Sequence, residues 1–101
     1  MTYGFVMDVP LPIEMYDAVH AETKRRMDGP VEGLLCHVGR ATGSGFQVME
    51  IWESKELCDR YEAEVVQPVL TQMAGGRPVP QPAKEEFEPR GLIVPAAQVV
   101  V

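Results

Sequence analysis

From Tyr3 to Val9 the chain is a short apolar run with β-branched and aromatic members, closed by Pro10-Leu11-Pro12, and the pattern predicts a first strand. Pro12 suits the first turn of a helix, where a missing N–H costs nothing, and Glu14 favours the positive end of the helix dipole. That helix is predicted to reach about Met27. Tyr16, Val19 or His20, Thr23 and Met27 recur along it at helical spacing, Lys24, Arg25 and Arg26 charge its last turn, and Asp28-Gly29-Pro30 ends it. Strand propensity returns from Glu32 to Thr42 and from Phe46 to Glu53, joined by Gly43-Ser44-Gly45, so these two runs are predicted to be antiparallel neighbours in a hairpin. Ser54 then has the character of an N-cap, and Leu57, Tyr61, Val65, Val69 and Met73 mark an i, i+4 stripe that Pro68 is predicted to kink or interrupt. Ala74 to Ala83 holds two glycines and three prolines and reads as a surface connection. Phe87 to Val94 can supply a last strand, in which Gly91 suggests a bulge or a close backbone approach.

The order strand, helix, strand, strand, helix, strand is the ferredoxin-like split βαβ arrangement, an α+β domain with both helices on one face of an antiparallel sheet. A sheet covered on one side only should be polar on the other. The alternation argues otherwise: Leu34, Cys36 and Val38 are expected on one side of the second strand with Leu35 and His37 on the other, and Phe46, Val48 and Trp52 oppose Met49 and Ile51 in the third. Two apolar faces with helices enough for one imply a second cover, and the simplest is the same face of another copy. Residues 1–95 are therefore read as one domain that forms a homodimer. The tail from Ala96 to Val101 is read as an edge strand to the partner or as disordered.

A chain of 101 residues has no room for a second core, and 46% hydrophobic with 24% charged residues is an ordinary globular composition. Nine basic against fifteen acidic side chains give a net charge of -6, which repels phosphate backbones and argues against nucleic acid. No apolar run approaches the roughly 20 residues of a membrane span, and the N-terminus lacks a positive n-region; the expected location is the cytoplasm. Cys36 and Cys58 lack CxxC spacing and are expected to be reduced, small apolar fillers.

His20 on the first helix and His37 on the second strand are the only histidines, and either could be a general base near neutral pH; the sequence leaves open whether they meet. Trp52 offers a flat apolar surface and one N–H donor, suited to an aromatic ligand or equally to a core or dimer interface. Tyr16 and Tyr61 lie on the inner stripes of the two helices, where their hydroxyls could line a pocket or be satisfied locally. Arg40 could orient an acidic substrate or form an ion pair, the second being favoured. Cys36 shares no strand face with its neighbour His37, so a third metal ligand is lacking and no metal is expected. Glu85-Glu86 and Asp59 with Glu62 read as solvated faces.

The hairpin followed by Phe46-Gln-Val-Met-Glu-Ile-Trp-Glu-Ser-Lys-Glu-Leu57 resembles the stretch that marks the antibiotic biosynthesis monooxygenase-like family, in which the third strand ends in Trp-acid-Ser and runs into the second helix. The resemblance implies a dimeric α+β barrel with a pocket between sheet and helices, lined in part by Trp52. Activities in that group include cofactor-independent oxidation of aromatic polyketides and haem degradation. This chain departs from both patterns, because it contains no asparagine and carries Tyr61 and Glu62 where a haem-ligating histidine would be expected. Holding haem by tyrosinate would need basic help to ionise a phenol whose pKa is ordinarily about 10, so haem is disfavoured and no cofactor is expected. Two functions follow as expectations. One is a cofactor-independent monooxygenase acting on a hydrophobic aromatic molecule, with Trp52 positioning it and His20 or His37 abstracting a proton. The other is a non-catalytic homodimer that binds an apolar or aromatic small molecule or serves as a structural module.

Overall fold

The computed structural model describes residues 1–78, 81–97 and 99–100. Its elements are β1 (Tyr3–Val9), α1 (Ile13–Arg26), β2 (Leu34–Thr42), β3 (Gly45–Trp52), α2 (Lys55–Tyr61), a π-helical turn (Glu62–Val66), α3 (Gln67–Ala74), β4 (Lys84–Phe87) and the short strands β5 (Ile93–Val94) and β6 (Val99–Val100). The first four strands form one antiparallel sheet in the order β2-β3-β1-β4, the ferredoxin-like arrangement expected from the element order. No helix among the described residues is long and apolar enough to cross a membrane.

One face of this sheet carries Tyr3, Phe5, Val9, Phe46, Val48 and Trp52, which together with Cys58 form the buried core against the helices. The helices lean on it with Tyr16, Leu57 and Tyr61. The opposite face shows Val6, Met49 and Ile51 beside Cys36 and Val38, and the last of these is 41% exposed. A two-residue turn at Gly43-Ser44 sets the β2–β3 register from Thr42 opposite Gly45 up to Leu34 opposite Trp52. Gly45 has φ +157, and a methyl group there would run into the Val9 carbonyl, so the turn fits beneath the β1 exit only as glycine.

Four details differ from the sequence reading. The register slips between Leu34 and Cys36, a bulge that places Leu34 on the helix side with Trp52 and returns Cys36 to the outer face with Ile51; the expected shared face of these two residues is lost there. The second helical segment is continuous rather than broken at Pro68. Gln67 N–H bonds to the Glu62 carbonyl five residues back, and this widened turn admits Pro68 at the start of α3, where no N–H is needed. The last strand of the sheet is Lys84–Phe87, not Phe87–Val94: charges at Lys84, Glu85 and Glu86 are tolerated because β4 is an edge strand, and Glu86 accepts the Tyr3 hydroxyl at 2.7 Å. In the tail, Val99–Val100 pairs with Ile93–Val94 of the same chain, while Gln98 and Val101 of the expected tail segment lie outside the described residues.

Candidate functional site

Because His37 lies opposite Glu50 in the hairpin, and Glu50 is two residues before Trp52 on the same strand face, three polar groups are forced onto the helix side of the sheet. Glu50 is 8% exposed and is the one buried charged side chain among the described residues. Its carboxylate is shared: Oε1 accepts Trp52 Nε1–H at 2.9 Å and Oε2 meets His37 Nδ1 at 2.6 Å. A carboxylate can only accept, so the network assigns the Nδ1 proton to His37 and leaves Nε2 as the acceptor in the neutral ring. Nε2 faces the Tyr16 hydroxyl at 2.7 Å, which donates to it.

Helix α1 delivers Tyr16 and, one turn later, His20 to this point. The rings of Tyr16, His20 and His37 lie parallel to within 12°, with centroids 5.4 to 6.0 Å apart. Their approach requires Gly39, two residues beyond His37 on the same strand face, since a methyl group at Gly39 would overlap the Tyr16 phenol. Burial raises the Tyr16 pKa, and Glu50 and Asp17 push it further the same way. Burial and the neighbouring His37 lower that of His20. The cluster sits at the sheet margin, where the His37 side chain remains 27% exposed.

The structure thus joins His20, His37 and Tyr16 and ties Trp52 to them through Glu50, a residue that was not among the site residues expected from the sequence. Tyr61 packs on Trp52 at a ring distance of 5.4 Å and donates its hydroxyl to Met27 Sδ at 3.6 Å; burial raises its pKa, followed by the Glu50 charge. Arg40 is elsewhere. It lies with Gln47 on the outer sheet face and donates to Gln47 Oε1 at 2.9 Å, in place of the favoured ion pair. Asp59, paired with Lys55, lies on the solvated face expected of it, whereas Glu62 is partly buried and pairs with Lys84, which lies 4.3 Å above the Phe5 ring.

Trp52 is fully buried and presents no surface to a ligand in this conformation. Of the two best-formed hollows, one of about 390 Å³ lies between Pro10–Ile13 and the β2–β3 turn. The other, of about 260 Å³, lies between the end of α1 and Tyr61. Neither is lined by Trp52 or a histidine.

No family model and no curated protein matches the chain. A solved structure does, that of a "putative Antibiotic biosynthesis monooxygenase" from Chloroflexus aurantiacus J-10-fl, with a TM-score of 0.61 over 90% of this chain and 95% of the other. The two chains share a fold. At 22% identity the likeness concerns the path of the backbone, and the chemistry of the site has to be argued from the side chains just described.

What those side chains can do is move one proton. A base whose far nitrogen is held by a buried carboxylate is aimed and kept in one tautomer, the logic of a nucleophile–histidine–acid triad with a phenol in the first place. Trp52 completes the chain by occupying the second carboxylate oxygen, so that Glu50 has only one oxygen to offer His37.

Proposed function

We propose that the protein is a small oxygenase of the antibiotic biosynthesis monooxygenase-like kind, in which His37 takes a proton from a hydrophobic aromatic substrate. The observation that carries this reading is the unbroken chain Tyr16–His37–Glu50–Trp52, with every link between 2.6 and 2.9 Å. A substrate hydroxyl or acidic C–H enters beside Tyr16, replaces the phenol as donor to Nε2, and leaves as an electron-rich anion that reacts with dioxygen. His20, on the exposed side of the ring cluster, flanks the substrate. In this reading Trp52 acts through Glu50. The reaction as proposed requires no haem, and the hydroxyl of the partly buried Tyr61 is already engaged with Met27 Sδ. The working unit is a homodimer closed over the outer sheet face.

Oxygen uptake with anthrone is the direct test: the methylene carbon becomes a carbonyl, one atom of dioxygen enters the product and the other leaves as water. Uptake that falls by about 100-fold or more in His37→Ala, in line with loss of a general base, supports the reading. Equal rates in the wild type, His37→Ala and Glu50→Gln would end it. A second reading, a non-catalytic ligand-binding or structural dimer, is favoured by the full burial of Trp52 and by hollows that bypass the histidines. It expects no uptake from any variant, with aromatic ligands still retained.

A further inference from the structure

A histidine whose second nitrogen is tied to a buried carboxylate is the usual support behind a metal-ligating imidazole: the carboxylate fixes the tautomer, aims the ring and makes the free nitrogen a better donor. His37 has this support from Glu50, itself held by Trp52, and its free Nε2 points at Tyr16 Oη and toward the margin of the sheet. His20 stands beside it with ring centroids 5.7 Å apart and planes within 8°. With metal–nitrogen bonds of about 2.0–2.1 Å, two imidazoles on one tetrahedral ion have centroids roughly 5 to 6 Å apart, the spacing of this pair; an imidazole donates in its own ring plane, so the stacked His20 ring has to turn about its side chain to share an ion with His37. Tyr16 and His20 are four residues apart on one helix face, the separation that lets a helix offer two donors to one ion.

We propose that Tyr16, His20 and His37 form a binding site for one divalent transition-metal ion of the imidazole-preferring kind, copper(II) or zinc. Among the described residues no group of three His, Cys, Asp or Glu side chains could hold a metal, and Cys36 lies on the other sheet face, so the phenol oxygen is the decisive third donor. On loading, the Tyr16 proton leaves to solvent, the phenolate oxygen and two neutral imidazole nitrogens bind the ion, and a fourth position stays open to water. The ion takes the lone pair that acts as base in the proposed oxygenase, so the two states of His37 exclude each other. The site stands on geometry alone and does not depend on the dioxygen reaction.

Titrating the full chain with copper(II) sulfate and zinc sulfate by calorimetry near neutral pH tests it without any activity readout. The expected result is one ion per chain, with binding lost in His20→Ala and in His37→Gln. Glu50→Gln is expected to bind about 10- to 100-fold more weakly, the usual effect of removing a ligand's support. The copper form should also show a phenolate-to-copper absorption band that vanishes in Tyr16→Phe. Circular dichroism of each variant separates loss of ligand from loss of fold, and Tyr16→Phe, which keeps the ring, supplies the arm least prone to unfolding. No uptake by the folded wild type, uptake indifferent to both histidine substitutions, or copper uptake without the phenolate band would each overturn the site.

Discussion

At the scale of single residues, the candidate site depends on an atom that is not there. Gly39 leaves the space into which the Tyr16 phenol folds against β2, and it is this space that lets a helix residue reach a strand histidine. Gly39→Ala is expected to push the phenol off the sheet, break the Tyr16–His37 bond and cost about 1–3 kcal/mol of stability as overpacking, measurable by urea denaturation. The His37 ring resonances should shift in the same variant. A further expectation concerns alkaline pH. Burial, reinforced by Glu62, pushes the Cys58 thiol up to about 12, and burial likewise raises the phenols of Tyr16 and Tyr61. The unfolded chain therefore binds fewer protons than the folded one between about 9 and about 12, and stability should fall as pH rises through that window. Urea midpoints measured across it check the sign; a rising midpoint would contradict the assignment. Glu50 shows where sequence reading stopped. Taken along β3 alone it breaks an apolar alternation, yet a two-residue turn at Gly43-Ser44 puts it opposite His37, and that register was available from the glycines. The Tyr16 contact was not legible, because it depends on how far α1 settles onto the sheet.

At the scale of elements, caps and breakers explain most of what could be read in advance. Ser54 Oγ accepts Leu57 N–H at 3.3 Å and opens α2 where the sequence placed an N-cap. Ser54→Ala is expected to cost about 1 kcal/mol, seen as a lowered thermal midpoint with the sheet unchanged. Pro68 was correctly marked as a disturbance, but its outcome was decided by tertiary packing: Cys58 and Val69 are both fully buried, and a wider turn keeps the segments that carry them on one continuous face where a break would not. The bulge at Leu35 likewise follows from packing that alternation does not encode, since Leu34 has to meet Trp52 while Cys36 meets Ile51. The displaced last strand has a plainer cause. Lys84–Phe87 is too charged to look like sheet unless it is known to lie at an edge.

At the scale of the whole molecule, the outer sheet face is the surface on which the proposed dimer rests. Val38 and Phe87 stand 41% and 37% exposed on it beside Met49 and Cys36, an apolar surface over which no helix of the described residues lies. Light scattering is expected to give twice the 11.2 kDa of one chain, and Val38→Asp, which buries a charge in the proposed interface, is expected to return the monomer. Thiol alkylation gives an independent reading: Cys36 should be protected in the dimer and labelled in Val38→Asp, whereas Cys58, fully buried between α2 and the sheet, should react only after unfolding. The strand order has one more consequence. His37 hangs from β2, the margin of the sheet, and Glu50 from β3, an interior strand. Fraying of β2 alone, well short of global unfolding, parts the imidazole from its carboxylate and switches off whatever His37 does. The thermal limit of function should therefore lie below the melting point of the fold and follow the exchange of the β2 amides with solvent deuterium.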